Sequence, residues 1–321
     1  MARGNIARTT GAMLAIFLKT LPFFCLIGLG YMAARTKFFT QEATAYLTKF
    51  VFYFALSAML FRFAANLSVA EVVSWPFVLA YLWGTLFVYL IATAVGLLRK
   101  LPVAEVAIES NCAVIGNVGF LGIPMLVLLL GEPAAGYVMQ ILAVDLIVFG
   151  SLVVILITGS RDTGMTLAVL KPVGLGLLKN PMIVSITLGL LWSSSAASLP
   201  APVDEFLMIL GAAATPGALF AIGASLAYKS AERLEVAGWL SFAKLILHPL
   251  AVAYAALVVF GINSYAAGVM IAAAALPVAG NVYMIADHYG VAPQRVSASI
   301  LISTVASVLT VSAVIAWVTA L

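Results

Sequence analysis

The feature that most constrains this chain is the recurrence of apolar runs long enough to cross a bilayer. A hydrocarbon core of ~30 Å takes about 20 helical residues at about 1.5 Å each. Runs of that order lie at roughly 12–33, 45–65, 75–98, 105–130, 136–158, 180–197, 203–227, 237–260, 265–288 and 294–320. Short breaks such as Gly131-Glu132-Pro133 and Leu199-Pro200-Ala201-Pro202 separate them. Apolar residues make up 64% of the chain and charged ones 9%, against about 45–50% and about 25% in a soluble domain. A water-soluble fold would lack the polar surface to cover itself, whereas lipid removes that need. The expected fold is therefore an all-α integral membrane protein with ten transmembrane helices.

The longest polar stretch, about Gly159 to Lys179, reads as an amphipathic surface helix. The first run follows Arg3 and Arg8 but is too long for the apolar core of a signal peptide, and Lys19 and Pro22 interrupt it, so it counts as a span. Cys25 and Cys112 lie singly within spans and give neither a disulfide framework nor, with His248 and His288, a metal-ligand spacing. No metal and no cofactor is expected.

Arginine and lysine in short loops set orientation. The loops after odd-numbered spans hold Arg35, Lys37, Arg99, Lys100, Arg161, Lys171, Lys179, Lys229, Arg233 and Arg295. Only Arg62 approaches an even loop, so odd loops should be cytoplasmic and both termini outside. The net charge of +4 is thus a topology signal. The scattered basic residues form no aromatic-interleaved face for nucleic acid.

The two halves of the chain resemble each other. An offset of 159 carries Pro22 and Gly30 onto Pro181 and Gly189, Leu60-Phe61 onto Leu219-Phe220, and Ala65 onto Ala224. Val114-Ile115-Gly116-Asn117-Val118 matches Val278-Ala279-Gly280-Asn281-Val282 at an offset of 164. Repeats at 1–160 and 161–321, each with five spans, would be inverted relative to one another. In such transporters the substrate binds near mid-membrane, between discontinuous helices of the two halves.

Spans 4 and 9 carry the chemistry. Gly116, Gly119, Gly122 and Pro124 fall within nine residues of span 4, and Pro277 precedes Gly280-Asn281 in span 9. Glycine costs about 1 kcal/mol and proline about 3 in a helix interior, so both helices should break. In lipid, freed backbone groups persist only inside protein or along a cavity. Two crossed broken helices would present half-helix N-termini that favour an anion, with the amides of Asn117 and Asn281 beside them. Simple proline kinks, with the asparagines as interhelical glue, are the alternative.

The run Gly116 to Pro124 resembles the fourth-span signature of the auxin efflux carrier family. Lys179-Asn180-Pro181, Pro216 with Gly223, Lys244 with His248-Pro249, Leu276-Pro277 and Ser303-Thr304 agree with it. The resemblance covers nearly the whole chain. It implies an inverted 5+5 fold of the sodium/proton antiporter and bile-acid symporter type, with a scaffold of spans 1, 2, 6 and 7. Spans 3–5 and 8–10 would form a transport domain, and the protein would be a homodimer. It also implies carriage of auxin-like weak acids or, as in similar bacterial proteins, of malonate and related carboxylates. The chain lacks the long loop of many plant members, which favours a bacterial inner-membrane carrier. It departs from the family at Ser57, where relatives often have the proline that Pro216 supplies in the second half; Ser57 is therefore a candidate site residue.

An ionisable group in mid-membrane costs at least ~2.5–3.5 kcal/mol, so each is a functional candidate. Asp145 in span 5 is a candidate coupling site for H+ or Na+, or a carboxylate bonded to the unwound backbone. Lys244 and His248 share one helix face; they attract the substrate or pair with Asp145, unless Lys244 snorkels. Glu109 and Asp287 are gate or solvated residues, and Tyr283 follows Asn281 closely. The expected function is a secondary transporter moving small organic anions by alternating access. A passive channel or carboxylate sensor is the alternative. An intramembrane enzyme would need a His-Glu-x-x-His or an acidic cluster, which the sequence lacks.

Overall fold

The computed structural model describes residues 2–67, 74–161, 170–195, 197–228 and 234–321, without the side chains of 2–17, 19, 161 and 170–173. Lys19, read above as part of the first span, therefore has a side chain outside the described residues, as do the loop residues Lys229 and Arg233. Among the described residues there are thirteen helices: α1 Ala2–Arg35, α2 Gln41–Ala65, α3 Trp75–Leu98, α4 Val103–Val114, α5 Val118–Leu130, α6 Ala134–Ser160, α7 Leu170–Lys179, α8 Pro181–Ser194, α9 Ala201–Leu226, α10 Leu234–Val259, α11 Ser264–Ala274, α12 Gly280–Tyr289 and α13 Pro293–Val318. Helices α2, α3, α6, α9, α10 and α13 are long and apolar enough to cross a membrane, and Thr20–Arg35, α5, α8 and α11 are shorter apolar helices. Large apolar side chains stand exposed on their outer faces, such as Leu86, Phe87 and Leu90 of α3. An apolar exterior is what a lipid solvent requires, and the molecule is an integral membrane protein.

Helix boundaries follow local chemistry. The Thr40 hydroxyl accepts from Ala43 N at 3.1 Å to start α2, and the Asn180 and Asn263 side chains do the same for α8 and α11. Gly290, at φ +63°, ends α12 in the left-handed conformation that glycine tolerates.

Small residues set how closely helices approach. A Cβ on Gly30 of α1 would fall 2.1 Å from the Phe220 carbonyl oxygen of α9. One on Gly189 of α8 would fall 2.7 Å from the Phe61 carbonyl oxygen of α2. Both members of the second pair lie 159 residues after or before their counterparts in the first, so residues at that offset make matching contacts. Arg62 of α2 and Asp204 of α9 add a bidentate pair at 2.7 and 3.1 Å.

The chain between α4 and α5 and between α11 and α12 is extended, and the two stretches pair. Gly116 and Val278 form an antiparallel bridge. Asn117 N donates to Pro277 O at 2.8 Å and Ala279 N donates to Ile115 O at 3.0 Å. Both helices expected to break do so, and each break satisfies backbone groups of the other. Val278 N is taken by the Ser303 hydroxyl at 3.1 Å.

Candidate functional site

Two cavities meet at this crossing. The larger, about 410 Å³, runs from Asn117, Gly280, Asn281 and Tyr283 to Gln41 at the start of α2 and Tyr228 beyond the end of α9. The smaller, about 70 Å³, is lined by Gly116, Asn117, Gly119, Asn281, Asp145 and the start of α8. Phe120 borders both, and its ring stacks on that of Phe52 with centroids 6.1 Å apart and planes 3° apart. Asn117, Asn281, Gly116, Gly280, Tyr283, Gly119 and Asp145 thus gather at one place although they come from three distant stretches of chain.

Asn281 Oδ1, an acceptor, is buried without a hydrogen-bond partner, and the amide's Nδ2 is the atom that can donate to an anion. The first N–H groups of a helix have no intrahelical acceptor, and Gly280 and Asn281, which open α12, lie in the lining of both cavities. The large cavity has no carboxylate in its lining; the hydroxyls of Thr44, Thr48, Ser225 and Tyr228 already donate to backbone carbonyls, so its donors are chiefly amides and one lysine, Lys49. This set of donors suits a negatively charged guest.

Other sequence candidates lie behind the crossing. Pro124 is buried in α5, just past the π turn Val118–Gly122, and a Cβ on Gly122 would meet Leu276 at 2.6 Å, so these two shape the break and its packing. Pro277 contributes its carbonyl to Asn117 N. Ser57 lines neither cavity; its hydroxyl donates to Phe52 O at 3.1 Å within its own helix.

Asp145 is 3% exposed. Its Oδ1 accepts from the Tyr81 hydroxyl at 2.8 Å and its Oδ2 has no partner. Lys244 does not snorkel: it is fully buried and donates to the Ala274 carbonyl at the end of α11 and to His248 Nδ1, 3.1 Å away. With Nδ1 accepting, His248 carries its proton on Nε2, which donates to the Thr85 hydroxyl at 3.0 Å. The ammonium thus sits at the negative end of a half-helix, where a cation is favoured. It fits because residue 116 is glycine, whose missing Cβ would lie 3.2 Å from Lys244 Nζ. Lys244 and His248 line neither cavity, and Lys244 is not ion-paired with Asp145.

Glu109 is buried and holds Arg99 at 2.6 Å and Arg295 at 2.7 Å, so it is not a solvated surface group. Asp287 is exposed. The sequence reading missed Tyr81 and Thr85, which are separated from their partners by 64 and 163 residues, and it missed Lys49.

A multi-pass helical membrane protein with an interior polar cavity at a pair of broken helices has the construction of a transporter. Residues 15–315 match the family of membrane transport proteins. The chain is also similar to a protein of Rhizobium meliloti (strain 1021) named "Putative malonate transporter", with 34% identity over 299 residues, 91% of this chain and 92% of that one. The chain belongs to the membrane transport protein family, the auxin efflux carriers. That is a family of transporters and not a class of enzymes.

Proposed function

We propose that the protein is a secondary carrier of small organic anions, malonate-like carboxylates among them, working by alternating access. The observation that carries this reading is the paired unwound backbone at Ile115–Asn117 and Pro277–Ala279, backed by a cavity that offers donors and no carboxylate. A carboxylate docks between the Asn117 and Asn281 side chains and the first N–H groups of α12. The name of the Rhizobium relative supports the substrate class.

The two halves are inverted five-span repeats, 1–160 and 161–321. The exchange of Gly30–Phe220 for Gly189–Phe61 supports that relation, as does the reciprocal bonding at the crossing. Spans 1, 2, 6 and 7 form the scaffold, which dimerises, and spans 3–5 and 8–10 move. With the odd loops in the cytoplasm, both termini lie outside the bacterial inner membrane. The large cavity, which reaches Gln41 and Tyr228, then faces the cytoplasm, and the stacked Phe52 and Phe120 close its inner end. Asp145, with one free carboxylate oxygen in the small cavity, takes the coupling H+ or Na+.

The test is counterflow of radiolabelled malonate in proteoliposomes. The wild type should show saturable uptake driven by internal malonate. Asn117→Ala and Asn281→Ala should each lower affinity about tenfold or more, since a hydrogen bond to a charged group contributes about 1.5–3 kcal/mol. Flux without saturation or counterflow would favour a channel, and full transport by Asn117→Ala would remove the crossing as the site.

A further inference from the structure

The wall of the large cavity contributed by α2 is a polar stripe in an otherwise apolar span. Gln41, Thr44, Ala45, Thr48 and Lys49 line the cavity at helical spacing, and Phe52, one turn further, lines the smaller one. Residues at such intervals share one helix face. Lys49 is the innermost polar residue of the stripe and the one charged group in the large cavity's lining. Eight residues past Gln41, it stands about 12 Å along the helix.

Lys49 has no counter-charge among the described residues. The ion pairs among the described residues engage Arg62, Arg99 and Arg295, and none reaches Lys49. Its ammonium lies 5.6 Å from the Tyr46 ring centroid, a contact that leaves hydrogen-bond donors of the ammonium free. An unpaired cation at membrane depth is expensive and marks a pathway. A second anion-favouring feature, the N-terminus of α12 with Asn281, belongs to the same cavity. A monocarboxylate has one anionic group to place at these two features, whereas a dicarboxylate has two.

We infer that Lys49 is a specificity-determining residue, pairing with the second carboxylate of a dicarboxylate whose first carboxylate docks at the crossing. The inference rests on the carboxylate-carrier reading above and adds to it the reason two charges are preferred to one. Lysine suits this role because its ammonium is a mobile point charge with three donors, able to follow substrates of slightly different length.

The experiment is competition against radiolabelled malonate counterflow in proteoliposomes of the full chain, with unlabelled malonate or propionate as competitor. Lys49→Gln should raise the half-inhibitory malonate concentration about tenfold and leave that of propionate within twofold. Lys49→Arg should restore malonate recognition to within a few-fold. Lys49 is exposed, so both variants should fold, and Lys49→Met gives the same reading if Lys49→Gln does not. Equal shifts for both acids, or none for either, would overturn the assignment of Lys49 while leaving the carrier intact. A wild type that neither carries malonate nor is inhibited by either acid would overturn the carrier reading and this inference with it.

Discussion

Replacing Gly30 by alanine adds one methyl group at a place where the structure leaves no room for it. The new Cβ would lie 2.1 Å from the Phe220 carbonyl oxygen, 2.9 Å from its carbon and 3.0 Å from its Cα. Ordinary contact begins at 3.4 Å, so α1 and α9 must part by about 1.3 Å along that line. The obstacle is backbone, which cannot rotate away. The reciprocal contact is as close: a Cβ on Gly223 of α9 would meet the Ile27 carbonyl oxygen of α1 at 1.8 Å. Overpacking costs typically 1–3 kcal/mol, and rigid neighbours on both sides place this case near about 3. Alanine returns about 1 kcal/mol of helix propensity, which leaves a net loss of about 2. The control is two residues away. A Cβ on Gly28 meets nothing within 4 Å, so Gly28→Ala keeps the propensity gain without the clash. Melting in detergent, followed by tryptophan fluorescence, should place Gly30→Ala several degrees below wild type and Gly28→Ala at or above it. Gly189→Ala, with obstacles at 2.6 and 2.7 Å, should fall between them. Equal stability for Gly30→Ala and Gly28→Ala would refute the claim that backbone contact through glycine holds these helices together.

Tyr81→Phe removes the donor to Asp145 and leaves both carboxylate oxygens without a partner. A stability loss of about 1–3 kcal/mol is expected, and in a double-mutant cycle with Asp145→Asn the two losses should be strongly non-additive; simple addition would show that the 2.8 Å bond contributes little. Glu109→Gln weakens two guanidinium contacts at a side chain only 3% exposed, while Asp204→Asn weakens one pair whose partners are 31% and 33% exposed. The first should lower the melting temperature clearly, and the second should cost under about 1 kcal/mol. The reverse order would refute the ranking by burial.

The parts of this fold that sequence revealed are those where a residue type is out of place in lipid. Glycines and prolines inside an apolar run have no reason to persist unless the helix stops, and Gly116–Pro124 and Pro277–Gly280 mark the two breaks. The amides beside them could be assigned to the crossing for the same reason. What sequence could not supply was partnership. Nothing in the Trp83 to Tyr89 cluster or its surroundings pairs Tyr81 with Asp145 or Thr85 with His248, because those contacts exist only once α3, α6 and α10 are packed. Lys49 did not stand out because a lysine within two or three turns of a span's end ordinarily snorkels. The spacing of Gln41, Thr44, Thr48 and Lys49 was the available signal. Ser57 shows the opposite case: repeat arithmetic pairs it with Pro216, and in the structure its hydroxyl finds the carbonyl of its own helix.

The positions of the π-helical turns give that partnership a physical basis. Among the described residues five such turns lie within or at the start of helices, at Val51–Ala55, Val118–Gly122, Asp145–Phe149, Ala243–Leu247 and Ala255–Val259. The first contains Phe52, the second Phe120, the third begins with Asp145 and the fourth contains Lys244. A π turn inserts a residue, widens the helix and shifts the side chains after it to a different face, and such turns are frequent at functional sites. In lipid a helix cannot reorient a side chain by looping out, because loose backbone would go unsatisfied. A widened turn moves a carboxylate or an ammonium toward the protein interior while every carbonyl stays close to a donor. The aromatic pair between the cavities and the two buried charges behind the crossing thus share one device. It is written in no single residue type, which is why inspection of the sequence located the charged groups but not the geometry that aims them.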